Sequence, residues 1–122
     1  MKVVLIIALS GALGALARYA MVNAIGGKYF PWGTLAVNVL GSLIMGFAFI
    51  MIAERQSWPA ELKPLIMTGF LGAFTTFSAF SLEAWELLDR GEGLHALAYV
   101  LVSVVACVLA VTLGVFAARA SL

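Results

Sequence analysis

Phe77 and Phe80 stand three residues apart, so on a helix their rings share a face. Asn38 lies within a run, Tyr29 to Ala53, that holds no charged residue. An amide buried in such surroundings is costly unless it is paired. It either hydrogen-bonds a neighbouring helix or turns its NH2 group toward a passing anion. Aromatic rings are electropositive at their edges. A small anion stripped of water can be held by such edges together with an amide or hydroxyl donor. No ring of cationic side chains accompanies these residues. A site of neutral donors can reject larger anions by size and still release a small one.

The segment around the two rings is unusual in itself. Gly69 to Ser81 reads GFLGAFTTFSAFS, with two glycines, four phenylalanines and four hydroxyl side chains. Thr and Ser compete with the backbone for hydrogen bonds, and glycine makes local unwinding cheaper. Two readings are open. One is a helix broken near the middle of a membrane span, which is tolerated where the freed carbonyls find partners or line a site. The other is an intact helix that uses small residues for packing.

Enzyme chemistry finds no support. His95 has no ligand or acid partner at a suitable spacing, and the hydroxyls lack an adjacent base. Glu83, Glu86 and Asp89 mark a polar end of their segment. Cys107, the single cysteine, sits in an apolar run and reads as a packing residue. With 11% charged residues and net charge +1, the chain has no basic patch for nucleic acid.

The elements that must position these residues follow from hydropathy. Hydrophobic types make up 64% of 122 residues, and soluble domains carry about 25% charged residues. The solvent that suits this composition is lipid. Four apolar stretches, about 3–25, 32–53, 64–88 and 94–118, are each long enough for the roughly 20 residues a crossing needs. They leave no room for an extramembrane domain, so residues 1–122 are expected to form a single transmembrane domain. The first stretch follows Lys2 as a signal peptide would. Three further spans follow it, and a retained first helix is expected. Alternation suited to barrel strands is absent. Gly11 and Ala15, like Gly14 and Arg18, are four apart, and such faces let helices approach closely. Thr34, Asn38, Gly41, Ser42 and Met45 line one face of the second span. Glu54 to Lys63 forms a short polar loop containing Pro59.

With four spans, both termini share a side with that loop. Lys2, Arg55, Lys63 and Arg119 lie there; Lys28 and Arg90 lie opposite, joined by Arg18 if it reaches outward. Four against three is a weak positive-inside signal. It suits a chain that inserts both ways and pairs with an inverted copy, and leaves open a single orientation set by chance details.

The motifs GALGALARY (11–19), WGTLAVNVLGSLIMG (32–46) and GFLGAFTTFSAFSLE (69–83) resemble, in this order, those of bacterial fluoride channels of the Fluc/CrcB type. The resemblance covers the four-span layout. Ala12, Leu13, Ala73 and Ala79 depart from the family's commoner residues without removing an expected ion ligand. The resemblance implies an all-α integral membrane protein of the bacterial inner membrane, with its third helix broken and its chains paired as an antiparallel, dual-topology homodimer. It implies passive, selective fluoride export through two pores that relieves fluoride toxicity. Asn38, Phe77 and Phe80 match pore-lining positions, as do Thr34, Ser81, Tyr99 and Ser103 with less bracketing sequence. Arg18 matches the arginine of the first-span motif, a vestibule or structural residue, and Glu83 an acidic position at the third-span end. Gly72 and Thr75 match the break whose backbone carbonyls hold a structural sodium ion between the subunits.

Two other functions compete. A small four-span multidrug transporter shares the length and weak charge bias, but such proteins carry a membrane-embedded glutamate in the first span. Here the first-span charge is Arg18. A non-transporting membrane assembly subunit would use the small-residue faces, yet has no need of Asn38 or a broken third span.

Overall fold

A computed structural model describes residues 1–121. The described residues form helices and short connections, with no strand. Helix α1 spans Lys2–Ile25. Helix α2 spans Trp32–Phe49 and runs on through a π-helical turn, Ile50–Glu54. The third span opens with a longer π-helical stretch, Lys63–Leu71, and continues as one α-turn, α3, Gly72–Phe74. Thr75 and Thr76 are extended, and α4 then runs from Phe77 to Asp89. Helix α5 spans Gly93–Ala120. Four helical spans are long and apolar enough to cross a membrane: Lys2–Ile25, Trp32–Glu54, Lys63–Asp89 and Gly93–Ala120. The shortest has 23 residues, which at about 1.5 Å per residue exceeds a hydrocarbon core of about 30 Å.

The helices end where the backbone requires it. Gly26 and Gly27 take positive φ (72° and 125°) just after α1, and Pro31 precedes α2. Gly91, at φ 78°, turns the chain between α4 and α5.

Close packing sets the order of the spans. Helices α2 and α5 touch backbone to backbone: a methyl group at Gly46 would overlap the Val111 carbonyl oxygen, and one at Gly114 the Leu43 carbonyl oxygen. Helix α1 lies against the first half of the third span, where Gly14 meets the Phe70 carbonyl and Ser10 meets Gly69. Close approach of this kind brings dispersion contacts and is how helices associate in lipid. Two buried clusters result. Leu35, Phe80, Leu87, Ala96 and Tyr99 form one, and Val37, Leu71 and Phe74 the other. The outward faces of α1 and α5 stay apolar and uncovered, as at Leu9, Leu13, Leu109 and Leu113.

At the end of the bundle carrying the 54–63 loop, Arg119 makes a two-bond pair with Glu54, at 3.0 and 2.7 Å. Arg55 donates to the carbonyls of Arg119 and Ser121 at the C-terminal end of α5, where a cation complements the helix dipole. Arg18 does not reach outward. Its Nε donates to the Ala73 carbonyl at 3.1 Å, inside the bundle. Without it, the basic residues divide four (Lys2, Arg55, Lys63, Arg119) against two (Lys28, Arg90).

Candidate functional site

The third span is broken at Thr75 (φ −84°, ψ 155°) and Thr76 (φ −148°, ψ 124°). Both hydroxyls secure the break. Thr75 Oγ1 donates to the Leu71 carbonyl at 2.9 Å, ending the first half. Thr76 Oγ1 accepts from the Ala79 N–H at 3.1 Å, capping α4.

Of the two partners open to Asn38, the neighbouring chain segment is the one observed. Its Nδ2 donates to the Thr76 carbonyl at 3.0 Å, and its Oδ1 accepts the Thr76 N–H at 2.8 Å. One side chain thus replaces both backbone partners that Thr76 gives up by leaving the helix. Arg18 supplies one such partner, to the carbonyl of Ala73.

These bonds have a consequence for two further carbonyls. In a continuous helix the Gly72 carbonyl would accept from the Thr76 N–H, and the Thr75 carbonyl from the Ala79 N–H. Those N–H groups are held instead by Asn38 Oδ1 and Thr76 Oγ1. Gly72 and Thr75 therefore present oxygens whose helical donors are committed elsewhere. Such oxygens suit a hard cation such as sodium. Among the described residues no cluster of His, Cys, Asp or Glu could hold a metal, so a cation site here would be built from backbone oxygens.

On the other side of the break stand the rings. Phe77 and Phe80 have centroids 5.4 Å apart. Phe80 is buried, whereas Phe77 is 78% exposed and projects from the bundle. Phe80 also meets the Tyr99 ring, at 5.1 Å. Tyr99 is fully buried and donates from its hydroxyl to Glu83 Oε2 at 2.8 Å, while Thr34 donates to Glu83 Oε1 at 2.7 Å. Glu83 is thus held by α2 and α5 together. Thr34 and Tyr99, expected along an ion path, both spend their hydroxyls on this carboxylate. Ser81 donates back to the Phe77 carbonyl at 2.9 Å and lines neither cavity described next.

Two cavities approach this core. One, of about 520 Å³, is lined by Asn23, Lys28, Glu86 and Arg90 and reaches Thr34 and Glu83. The other, of about 340 Å³, is lined by Asn38, Thr75, Phe77, Phe80, Ser103 and Cys107 among others. Thr34 and Asn38 are one turn apart on α2, and Glu83 and Phe80 nearly one turn apart on α4. On α5 a single turn takes Tyr99, which holds Glu83, to Ser103. The cavities therefore come within about one helical pitch, ~5.4 Å, of each other at the level of Phe80 and Tyr99. Ser103 is 5% exposed, and its hydroxyl has no hydrogen-bond partner among the described residues.

A four-span helical bundle with a broken third span and two cavities that approach each other belongs to the class of small integral membrane proteins built for passage of a solute. Residues 5–115 match the family model described as CrcB-like protein, Camphor Resistance (CrcB), and the chain belongs to that family. It is 53% identical over 116 residues to a "Fluoride-specific ion channel FluC" of Hahella chejuensis, covering 93% of this chain and 91% of that protein. A protein of the same name from Magnetococcus marinus is 52% identical over 116 residues, covering 93% and 94%. Another, from Geobacter sulfurreducens, is 43% identical over 122 residues, covering 98% of each chain. Family and spans together make this a multi-pass protein of the bacterial inner membrane.

Proposed function

We propose that the protein is a passive, fluoride-selective channel that lets fluoride leave the cell and so relieves its toxicity. The observation that carries this reading is the approach of the two cavities to within one helical turn at Phe80 and Tyr99. The names of the similar proteins support the choice of ion.

The chemistry of the passage suits a small, strongly hydrated anion. Helix α4 begins at the break, so its N-terminal N–H groups and positive dipole end lie within the bundle. Phe77, Phe80 and Ser103 line the same cavity, and aromatic rings are electropositive at their edges. These neutral donors compensate lost hydration without trapping the ion. Asn38 lines this cavity while its amide shapes the break. Thr34 and Tyr99 act through Glu83, and Arg18 through Ala73.

The working unit is an antiparallel homodimer. Thr75 lies 12 residues from Lys63, and Thr76 lies 13 from Asp89, so the break sits at the middle of its span (75 − 63 and 89 − 76). A two-fold axis in the membrane plane brings two copies of a mid-depth feature to the same level. The projecting Phe77 ring then meets a partner chain. Gly72 and Thr75 from both subunits would hold one sodium ion, whose role is to neutralise the clustered carbonyls and tie the subunits together.

Efflux from liposomes tests the function. Purified protein should release trapped fluoride passively and retain chloride. Movement of a drug-like cation coupled to protons, with no fluoride efflux, would overturn the reading.

A further inference from the structure

Tyr99 is fully buried, and two phenylalanine rings bear on it. One is Phe80, beside the break. The other is Phe30, which comes from the connection between α1 and α2 and meets Tyr99 edge-to-face, with centroids 5.3 Å apart and planes at 81°. That is a favoured arrangement for an aromatic pair. The backbone fixes where Phe30 stands. The Trp32 N–H donates to the Phe30 carbonyl at 2.8 Å across Pro31, whose φ of −79° and ψ of 65° are those of an inverse γ-turn. A methyl group at Gly27 would overlap the same carbonyl oxygen. The Gly33 N–H donates to the Gly26 carbonyl at 3.2 Å and closes the connection on itself. The Trp32 ring, 4.6 Å away, braces the Phe30 ring. Phe30 also lines the cavity of about 520 Å³. One ring on a short, closed turn thus borders that cavity and bears on Tyr99.

We propose that Phe30 is a positioning residue of the ion path, holding the Tyr99 ring so that the Tyr99 hydroxyl stays on Glu83. The inference rests on the proposal that ions pass where the two cavities approach each other, at Phe80 and Tyr99. A tyrosine ring turns about two torsions, and loss of a packed neighbour gives it room to swing. The 2.8 Å bond to Glu83 Oε2 is then given up. A carboxyl oxygen relieved of its donor is a bare acceptor beside the path, where a passing anion needs donors. The Phe30 side chain forms no hydrogen bond, so its effect on the ion goes through Tyr99.

The test compares Phe30→Leu with Phe30→Trp in proteoliposomes. Leucine stays apolar and removes the ring. Tryptophan keeps a ring face and edge, with the cavity beside it to take the extra bulk. Fluoride efflux is measured beside the infrared C–O band of carbon-13-labelled tyrosine, which reports whether a phenol donates. The chain has three tyrosines, and Tyr99→Phe identifies the Tyr99 band. Phe30→Leu should shift that band and cut efflux about tenfold, the upper end of what one aromatic pair contributes to an equilibrium. Phe30→Trp should keep both near wild type. If Phe30→Leu does not fold, Phe30→Met, flexible enough to fill the gap, is read in its place. An unshifted band overturns the inference, since Tyr99 then holds Glu83 unaided. A shifted band with wild-type efflux also overturns it, because the bond then has no bearing on the ion. A tryptophan variant as impaired as the leucine variant overturns the role of the ring pair. If wild-type protein carries no fluoride, the proposed function fails by itself, and the band still reads whether Phe30 positions Tyr99.

Discussion

Asn38 and Thr76 are joined by two hydrogen bonds, one through each end of the amide, to the N–H and the carbonyl of a single residue. Neither bond has a helical substitute, because Thr76 is extended. Asn38→Ala leaves both backbone groups without partners, at about 1–3 kcal/mol for each buried group. The variant should unfold at lower temperature in detergent and lose most fluoride efflux. Wild-type melting and efflux would show that water or another side chain takes over.

The contact between Gly41 and Thr75 gives a paired test. A methyl group at Gly41 would overlap Thr75 Cγ2 and lie 3.3 Å from the Phe74 ring. Gly41→Ala should therefore destabilise the fold by about 1–3 kcal/mol. Thr75→Ser removes that methyl group and keeps the hydroxyl that bonds the Leu71 carbonyl. The double variant should regain stability relative to Gly41→Ala, so that the two effects are not additive. Strict additivity would place the strain elsewhere.

Phe77 and Phe80 differ in burial but share a cavity. Isoleucine keeps much of the bulk and lacks the electropositive edge. Phe77→Ile and Phe80→Ile should each cut fluoride efflux severely with the dimer intact on size exclusion. Unchanged efflux in both would make the rings ordinary packing.

The Gly72 and Thr75 carbonyls have lost their helical donors. Purification and reconstitution without sodium should weaken assembly or efflux, and a large organic cation should not restore it. Fluoride current should reverse at the fluoride equilibrium potential, with no sodium coupling. Full activity after rigorous sodium removal would count against a structural cation.

With Arg18 turned inward, the basic residues favour one side by four to two. Dual insertion then depends on a modest bias in short loops. A terminal cysteine, placed in a Cys107→Ser background that still conducts, should be labelled from both faces of the membrane in cells. Labelling from one face only would defeat the antiparallel dimer.

The residues of the third span leave a broken and an intact helix equally open, the family resemblance implies the break, and the structure shows it. The two threonines at 75 and 76 are themselves the extended residues and supply the caps, while Gly72 stays helical. The partners of the break are harder to read. Asn38 lies 38 residues from Thr76 and Arg18 lies 55 from Ala73, and no spacing rule links such pairs. Whether Arg18 reaches outward is left open by the sequence, because the carbonyl it finds is free only once the helix is broken. Thr34 and Tyr99 were expected on the ion path, and their convergence on Glu83 joins three helices that sequence order keeps apart. The π-helical stretch Lys63–Leu71 left no sign in sequence, since the composition of KPLIMTGFL suits an ordinary helix equally well. Cys107 lines a cavity together with residues of α2 and of the broken span, a grouping that no spacing along the chain reveals.

The bonds at the break also bear on the order of events during biogenesis. Asn38, Arg18 and the two threonine hydroxyls all belong to the same chain as the groups they satisfy. Helices α1 and α2 precede the third span in translation, so both long-range partners are already in the bilayer when the broken segment leaves the translocon. A newly made chain can thus shelter much of its interrupted backbone by itself. The oxygens of Gly72 and Thr75 are among the groups left over, and in the proposed dimer this makes pairing of finished subunits, rather than co-folding of two nascent chains, the natural route of assembly.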